Sequence, residues 1–339
     1  WCAAVLEELA AHPEVTLLTR TSASGYYAQN WLTLFENCTD HLPLSQAGDG
    51  PRHRLWRVRA QQVVLATGAI ERPLVFNGND RPGIMLASAA RTFLHRYGVR
   101  PGDHAAIFTN NDDAWQSAFD LHEAGARIGA IIDTRPDPAP AHREAAQAHG
   151  IPVRLGATIL ATQGRRRIRS IDVAAFDGAG VTGKPERIAC DLLCVSGGWS
   201  PNVALFSQSG GSLRYDETLA AFVPEEARQA VVAVGACAGD FALSDAVSRG
   251  AEAGRMAARE AGFVADATDN AAGETRDGSL PYRVTPAWEL PSNRPKTRIR
   301  AFVDHQNDVT AKDLHLAVRE GYGAVEHAKR YTTTGMGTD

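Results

Sequence analysis

The 339-residue sequence predicts an α/β chain built from Rossmann-like, dinucleotide-binding units. Three observations carry that expectation. The run Val63-Val64-Leu65-Ala66-Thr67-Gly68-Ala69 is a short apolar strand ending in small residues, where an open sheet lets backbone approach a ligand closely. A second such edge lies far downstream: Ala230-Val231-Val232-Ala233-Val234 leads into Gly235-Ala236-Cys237-Ala238-Gly239-Asp240, ahead of a helical pattern over Leu243 to Arg259. Between them the chain alternates strand and helix patterns, the order that builds a parallel sheet.

Taken in order, Trp1 opens inside an amphipathic helical pattern with no cap before it, so the chain is expected to be a fragment that lacks the usual first strand and glycine-rich turn. Glu14 to Arg20 reads as a strand, and Tyr26 to Glu36 with Arg54 to Ala60 as a β-ribbon. The strand ending at Thr67 follows, then a turn-rich Asn79 to Met85 and a helix over Ala87 to Tyr97. A new unit begins near Arg100-Pro101-Gly102-Asp103. It reads as a strand over His104 to Phe108, a helix over Asp113 to Ala124, a strand over Arg127 to Asp133 and a helix over Ala141 to His149.

That unit lacks a glycine-rich phosphate turn. Thr109-Asn110-Asn111-Asp112-Asp113-Ala114 stands in its place, and its carboxylates would repel a pyrophosphate. Asp133 sits where a ribose-binding acid would, although a strand-end Asp equally serves as a turn residue or cap. Val195 to Asn202, with Gly197-Gly198-Trp199, reads as a sharp crossover, with Trp199 either closing a cleft or filling core. From Ala265 to Lys296 the composition turns to Gly, Pro and charged residues, as in a linker.

Composition excludes several classes. A formal net charge of −4 and one short basic run, Arg165-Arg166-Arg167 with Arg169, argue against a nucleic-acid partner. No apolar run approaches the ~20 residues of a membrane span and no signal segment opens the chain, which points to a cytoplasmic protein. Five cysteines without paired CxxC motifs argue against a disulfide framework or a zinc site, so no metal is expected. Cys190 and Cys194, four residues apart on one strand-like segment, are expected on one face as buried packing, and Cys237 as a space-filler near the second glycine edge.

The two glycine edges together resemble the two-dinucleotide-domain flavoprotein and disulfide reductase superfamily. The tail narrows this. Phe302-Val303-Asp304-His305-Gln306-Asn307-Asp308-Val309-Thr310-Ala311-Lys312-Asp313-Leu314 is followed by Ala317 to Tyr322 and by Glu326-His327-Ala328-Lys329-Arg330-Tyr331-Thr332-Thr333-Thr334-Gly335-Met336-Gly337-Thr338-Asp339. Thr310 reads as an N-cap before Asp313, and Gly321 as a helix stop. With the upstream edges, these motifs closely resemble the alpha-subunit family of heterotetrameric sarcosine oxidases.

The tail is also similar to a ferredoxin-like module of bacterioferritin-associated type, whose cysteines hold an iron–sulfur cluster. The matching positions here are Asp304, Gln306 and Asp339, whose oxygens are poor ligands for cluster iron, so the module is expected without one. The fold implied is a flavoprotein reductase fold with two dinucleotide-binding domains, a small inserted parallel α/β domain and a short α-rich C-terminal module. Its expected boundaries are 1–98 and 191–264 for the first domain, 99–190 for the insert, 265–296 for the linker and 297–339 for the module.

What the resemblance implies is oxidative demethylation of sarcosine to glycine by a complex with beta, gamma and delta subunits, using oxygen and tetrahydrofolate. NAD belongs to the alpha subunit, FAD to the beta subunit, FMN to the contact between them, and tetrahydrofolate to an alpha domain outside this chain. No catalytic residue is assigned. Thr67, Gly68, Ala69, Gly235, Gly239 and Asp240 are the candidate nucleotide residues, helped by the dipole of the following helix. Lys329, Arg330, Thr332 and Thr333 are candidates for the FMN phosphate, or simply a basic, hydroxyl-capped helix end. Rival readings are a self-contained FAD-dependent NAD(P)H oxidoreductase, a subunit of a related proline or opine dehydrogenase, and a vestigial scaffold.

Overall fold

The computed structural model describes residues 1–263 and 282–336. The expected linker falls partly outside the described residues, and Asp339 wholly so. Two compact units emerge. One holds Trp1–Ala69, Pro201–Tyr215 and the chain from Phe222 through the helix Leu243–Glu260. The other holds Ile70–Ser200, Asp216–Ala221 and the described residues from Tyr282 onward.

In the first unit, Thr21–Tyr27, Trp31–Asn37 and His53–Arg59 form an antiparallel sheet. The sequence reads Tyr26 to Glu36 as one strand, but the chain turns at Gln29 and Asn30, both at positive φ. Asn30 tolerates this because its polar groups are met: Tyr26 Oη donates to Asn30 Oδ1 at 2.7 Å, and Asn30 Nδ2 donates to Gln61 O and Ala230 O. The strand expected over Glu14 to Arg20 does not form. It finds no partner strand among the described residues, Val15 and Leu17 stay 37% and 40% exposed, and an unpaired strand has no ladder to satisfy its backbone. The two glycine-edge strands, Val63–Leu65 and Val231–Ala233, pair in parallel.

The second unit is layered. Its parallel sheet runs in the order Ile84–Leu86, Leu192–Ser196, His104–Thr109, Arg127–Asp133, Val153–Leu155. Side-chain alternation builds two cores. Ala106, Phe108, Ala130 and Ile132 pack with residues of the antiparallel sheet Ala157–Gln163, Ser170–Phe176, Val181–Ala189. Ala105, Ile107 and Ile131 pack with the helices Ala87–Tyr97, Asp113–Glu123 and Pro140–Ala148. Phe76 meets Phe108 edge-to-face at 5.4 Å, and burying each such ring contributes ~1.5–3 kcal/mol.

This sheet moves the expected boundaries. Leu192–Ser196 hydrogen-bonds to both His104–Thr109 and Ile84–Leu86, so residues 70–98 and 191–200 belong with the inserted unit, and cuts at 98 and 190 would sever its sheet. Cys190 and Cys194 also part company: Cys190 lies in the core toward the antiparallel sheet and Cys194 in the core toward the helices. The strand begins only at Leu192. Asp191, whose carboxylate accepts from Asp103 N and His104 N, breaks the two-residue period before it. Burial pushes the Cys190 thiol up to about 12. Among the described residues, no helix is long and apolar enough to cross a membrane.

The tail folds as a hairpin, Phe302–Asp304 with Val309–Thr310, followed by helices Ala311–Arg319 and Val325–Thr332. Thr310 caps the first as expected: Asp313 Oδ2 accepts from Thr310 N at 2.9 Å and from its hydroxyl at 2.7 Å. Gly321 follows the helix end at φ 97°.

Candidate nucleotide site

Within the first unit the two predicted edges come together. Val234 N donates to Leu65 O at 2.9 Å, so the paired strands end side by side and their loops leave from one end. The backbone of Asn202 fastens both loops. Its carbonyl accepts from Thr67 Oγ1 at 2.7 Å and from Cys237 Sγ at 3.3 Å, while its N–H donates to Gly68 O at 2.9 Å. Sequence reasoning did not single out Asn202. The signal was its place directly after the Gly197 to Pro201 crossover.

Gly235 and Gly239 lie at φ 65° and 91°, a left-handed backbone that a side chain would strain. They bracket a tight helical turn, Gly235–Ala238, closed when Asp240 N donates to Gly235 O at 3.1 Å. Asp240 emerges from this turn. Its Oδ1 pairs with Arg249 Nη1 at 2.9 Å, while Oδ2 is buried and has no hydrogen-bond partner. Burial raises the Asp240 carboxyl above its ordinary range, against the pull of Arg249. Leaving such an acceptor unmet costs ~1–3 kcal/mol, and a ligand hydroxyl would meet it.

Lys329, Arg330, Thr332 and Thr333 lie in the other compact unit. The two threonines turn their hydroxyls onto their own helix end: Thr332 Oγ1 donates to Ala328 O at 2.7 Å and Thr333 Oγ1 to Thr332 O at 2.5 Å. Arg330 faces Glu326 at 3.8 Å, both largely exposed. This is the geometry of a capped helix end, and Lys329 is the basic side chain there without an ion pair among the described residues.

The inserted sheet offers a second crevice at the ends of His104–Thr109 and Arg127–Asp133, where the chain's own groups engage Asp133 but leave Asp112 Oδ1, Thr134 Oγ1 and His142 Nε2 buried without a hydrogen-bond partner. Arg135 donates to Asp133 through its main-chain N at 2.9 Å, Nε at 3.0 Å and Nη2 at 2.7 Å, and Trp115 Nε1 donates to the same carboxylate. Arg135 Nη1 also lies 2.8 Å from Asp112 Oδ1. Arg283 closes the top through its backbone: its N–H donates to Asp112 Oδ2 at 2.9 Å, and its carbonyl accepts from Arg135 Nη1 and Asp112 N. Asp133 is fully buried and committed, so it cannot receive a ribose hydroxyl.

Residues 298–339 match the sarcosine oxidase A3 domain model. The chain is 39% identical over 349 aligned residues to sarcosine oxidase subunit alpha of Corynebacterium sp. (strain P-1), covering 100% of this chain and 35% of that one. It is 40% identical to sarcosine oxidase subunit alpha of Rhizobium meliloti (strain 1021), covering 98% of this chain and 32% of the relative. The chain belongs to the sarcosine oxidase alpha-subunit family. It spans about a third of the length of these relatives. Among solved structures, L-proline dehydrogenase from P. horikoshii superposes with a TM-score of 0.62 at 18% identity, covering 98% of this chain and 59% of that one, which shows a shared fold.

Within the segment that matches the sarcosine oxidase A3 domain, Asp304 organises the loop where the ferredoxin-like resemblance would place a cluster cysteine. Its carboxylate accepts from Gln306 N, Asn307 N, Asn307 Nδ2 and Gly335 N, all at 2.8–2.9 Å. These bonds, led by the Asn307 side chain, hold its carboxyl down at about 2. Its oxygens are spent on the protein's own donors. Among the described residues, no group of three His, Cys, Asp or Glu side chains converges as a metal site.

Proposed function

We propose that this chain is the nucleotide-holding region of the alpha subunit of a sarcosine oxidase complex, with NAD seated at the loops of Thr67, Gly68, Ala69, Gly235, Gly239 and Asp240. The observation that carries the reading is the buried, unpartnered Asp240 Oδ2 at the end of a left-handed glycine turn. Gly68 and Gly239 bring backbone close to the ligand, and Asp240 accepts from a ribose hydroxyl. When bound, the dinucleotide supplies a nicotinamide ring competent for hydride transfer. The engagement of Asp133 by Arg135 and Trp115 supports this pair of edges over the insert as the nucleotide position, and it disfavours a self-contained NAD(P)H reductase.

In this reading the complete complex, with its beta, gamma and delta subunits, demethylates sarcosine to glycine, passing electrons to oxygen and the one-carbon unit to tetrahydrofolate. FAD belongs to beta, and FMN to the contact with beta near Lys329 and Arg330. The test is acid release of nucleotide from the full-length alpha subunit, with and without beta, identified by mass spectrometry. NAD from alpha alone is the expected result, and Asp240→Ala should lower its retention about tenfold, equivalent to ~1.4 kcal/mol. FAD from alpha alone would turn the reading to a reductase, and no nucleotide at all would leave a scaffold.

A further inference from the structure

The second unit carries a cavity of about 410 Å³ that no part of the nucleotide reading uses. Arg81, Arg165, Arg294, Arg298 and Arg300 line it, against a single carboxylate, Asp80. The protein as a whole carries a net charge of −4, so this is a local reversal of sign. Elsewhere in this unit arginines meet acids: Arg154 with Glu186, Arg187 with Asp172, Arg91 with Asp120. Among the described residues, the guanidiniums of Arg165, Arg298 and Arg300 make no ion pair, and Arg294 acts only on Asp172, an acid already paired with Arg187.

The floor is built by hydrogen bonds. Arg81 Nε donates to Thr162 Oγ1 at 3.1 Å, and Thr162 Oγ1 donates to Gly78 O at 3.1 Å. Gly78 N donates to Arg300 O at 2.6 Å, and Arg300 N to Asn77 Oδ1 at 2.9 Å. Gly78 adopts φ 75°, and a Cβ there would come 2.6 Å from Thr162 Oγ1. Three separated stretches, 77–82, 162–165 and 294–300, are thereby fastened around one cationic hollow. Arg81 is fixed in place, and Arg165, Arg294, Arg298 and Arg300 line the rest of the hollow.

We propose that this cavity binds a compact oligophosphate: pyrophosphate, or the diphosphate end of a small ester. Guanidinium forks match phosphate oxygens in pairs, and a cluster of like charges with one lining carboxylate favours a multivalent anion over a monovalent one. No aromatic ring lines the cavity, so nothing there stacks a base, and recognition rests on charge. The volume lies within the range of small-ligand sites.

The test is calorimetric titration of the full-length subunit, alone and in its assembled complex, with inorganic pyrophosphate at low and physiological ionic strength. Saturable binding is expected in both forms, tighter than for orthophosphate or sulfate. Arg298→Ala with Arg300→Ala should weaken it about tenfold or more, and Arg165→Glu should weaken it further. Arg154→Ala, outside the cavity, should leave binding unchanged. Matched thermal unfolding of the variants excludes misfolding; among the described residues the Arg165, Arg298 and Arg300 guanidiniums make no ion pair whose loss would unfold the chain. Lack of saturable binding, equal binding by the double variant, or equal displacement by sulfate would overturn the proposal. So would binding to the free subunit but not to the complex, which would assign the cavity to an acidic segment of a partner.

Discussion

Arg135 sits between Asp112 and Asp133 with 4% of its surface exposed, and the two acids are 5% and 0% exposed. Replacing it with methionine would keep the bulk and remove the cation, leaving two buried carboxylates uncompensated. Breaking a buried pair from one side costs ~3–5 kcal/mol, so Arg135→Met should lower the urea midpoint by that equivalent at neutral pH. A loss under ~1 kcal/mol would show that water or relaxation replaces the cation. The same trio marks the limit of reading residues from sequence. The position of Asp133 at a strand end was legible, but its commitment was not, because it depends on Arg135 and Trp115 folding onto the carboxylate, with Arg135 in turn held by the Arg283 carbonyl.

At the scale of elements, the Asp304 loop makes a prediction with a definite sign. Its carboxyl is held down at about 2, below its value in an unfolded chain. The loop's contribution is therefore complete above the ordinary carboxylate range and lost as pH falls toward about 2. Amide exchange at Gly335 and Asn307 should quicken as pH is lowered from about 5 toward 2, once the intrinsic pH dependence is removed. Asp304→Asn should show fast exchange throughout. A pH-independent wild type would sink the idea.

Elements with strong local periodicity were legible. Arg127–Asp133 and Ala87–Tyr97 match the sequence reading residue for residue, and Asp113–Glu123 and Leu243–Glu260 within one. What failed needed a partner. Glu14 to Arg20 has strand-forming residues and no neighbour, the Gln29-Asn30 turn depends on long-range bonds to Gln229 and Ala230, and the insert's boundaries were set by sheet pairing between distant segments. In the candidate site, the glycine edges were readable as strand ends, whereas the free Asp240 oxygen and the Asn202 clasp required three dimensions.

For the whole molecule, two dinucleotide-type folds lie in one chain, and the nucleotide reading assigns them different fates. Adding NAD to nucleotide-stripped, full-length alpha subunit should slow amide exchange over residues 66–69 and 235–243, and leave residues 109–115 unchanged. Protection at 109–115 alone would reverse the assignment. The engagement of Asp133 by the chain's own groups also changes what selection can see there. A site kept for a small molecule is held constant by that molecule, but this one is held by the fit of the polypeptide to itself. Across related sequences, a change at Asp112 should therefore be answered at Arg135, and a change at Arg135 at Asp133 or Trp115. Position 283, which contributes only backbone hydrogen bonds to the seal, should drift independently of all of them.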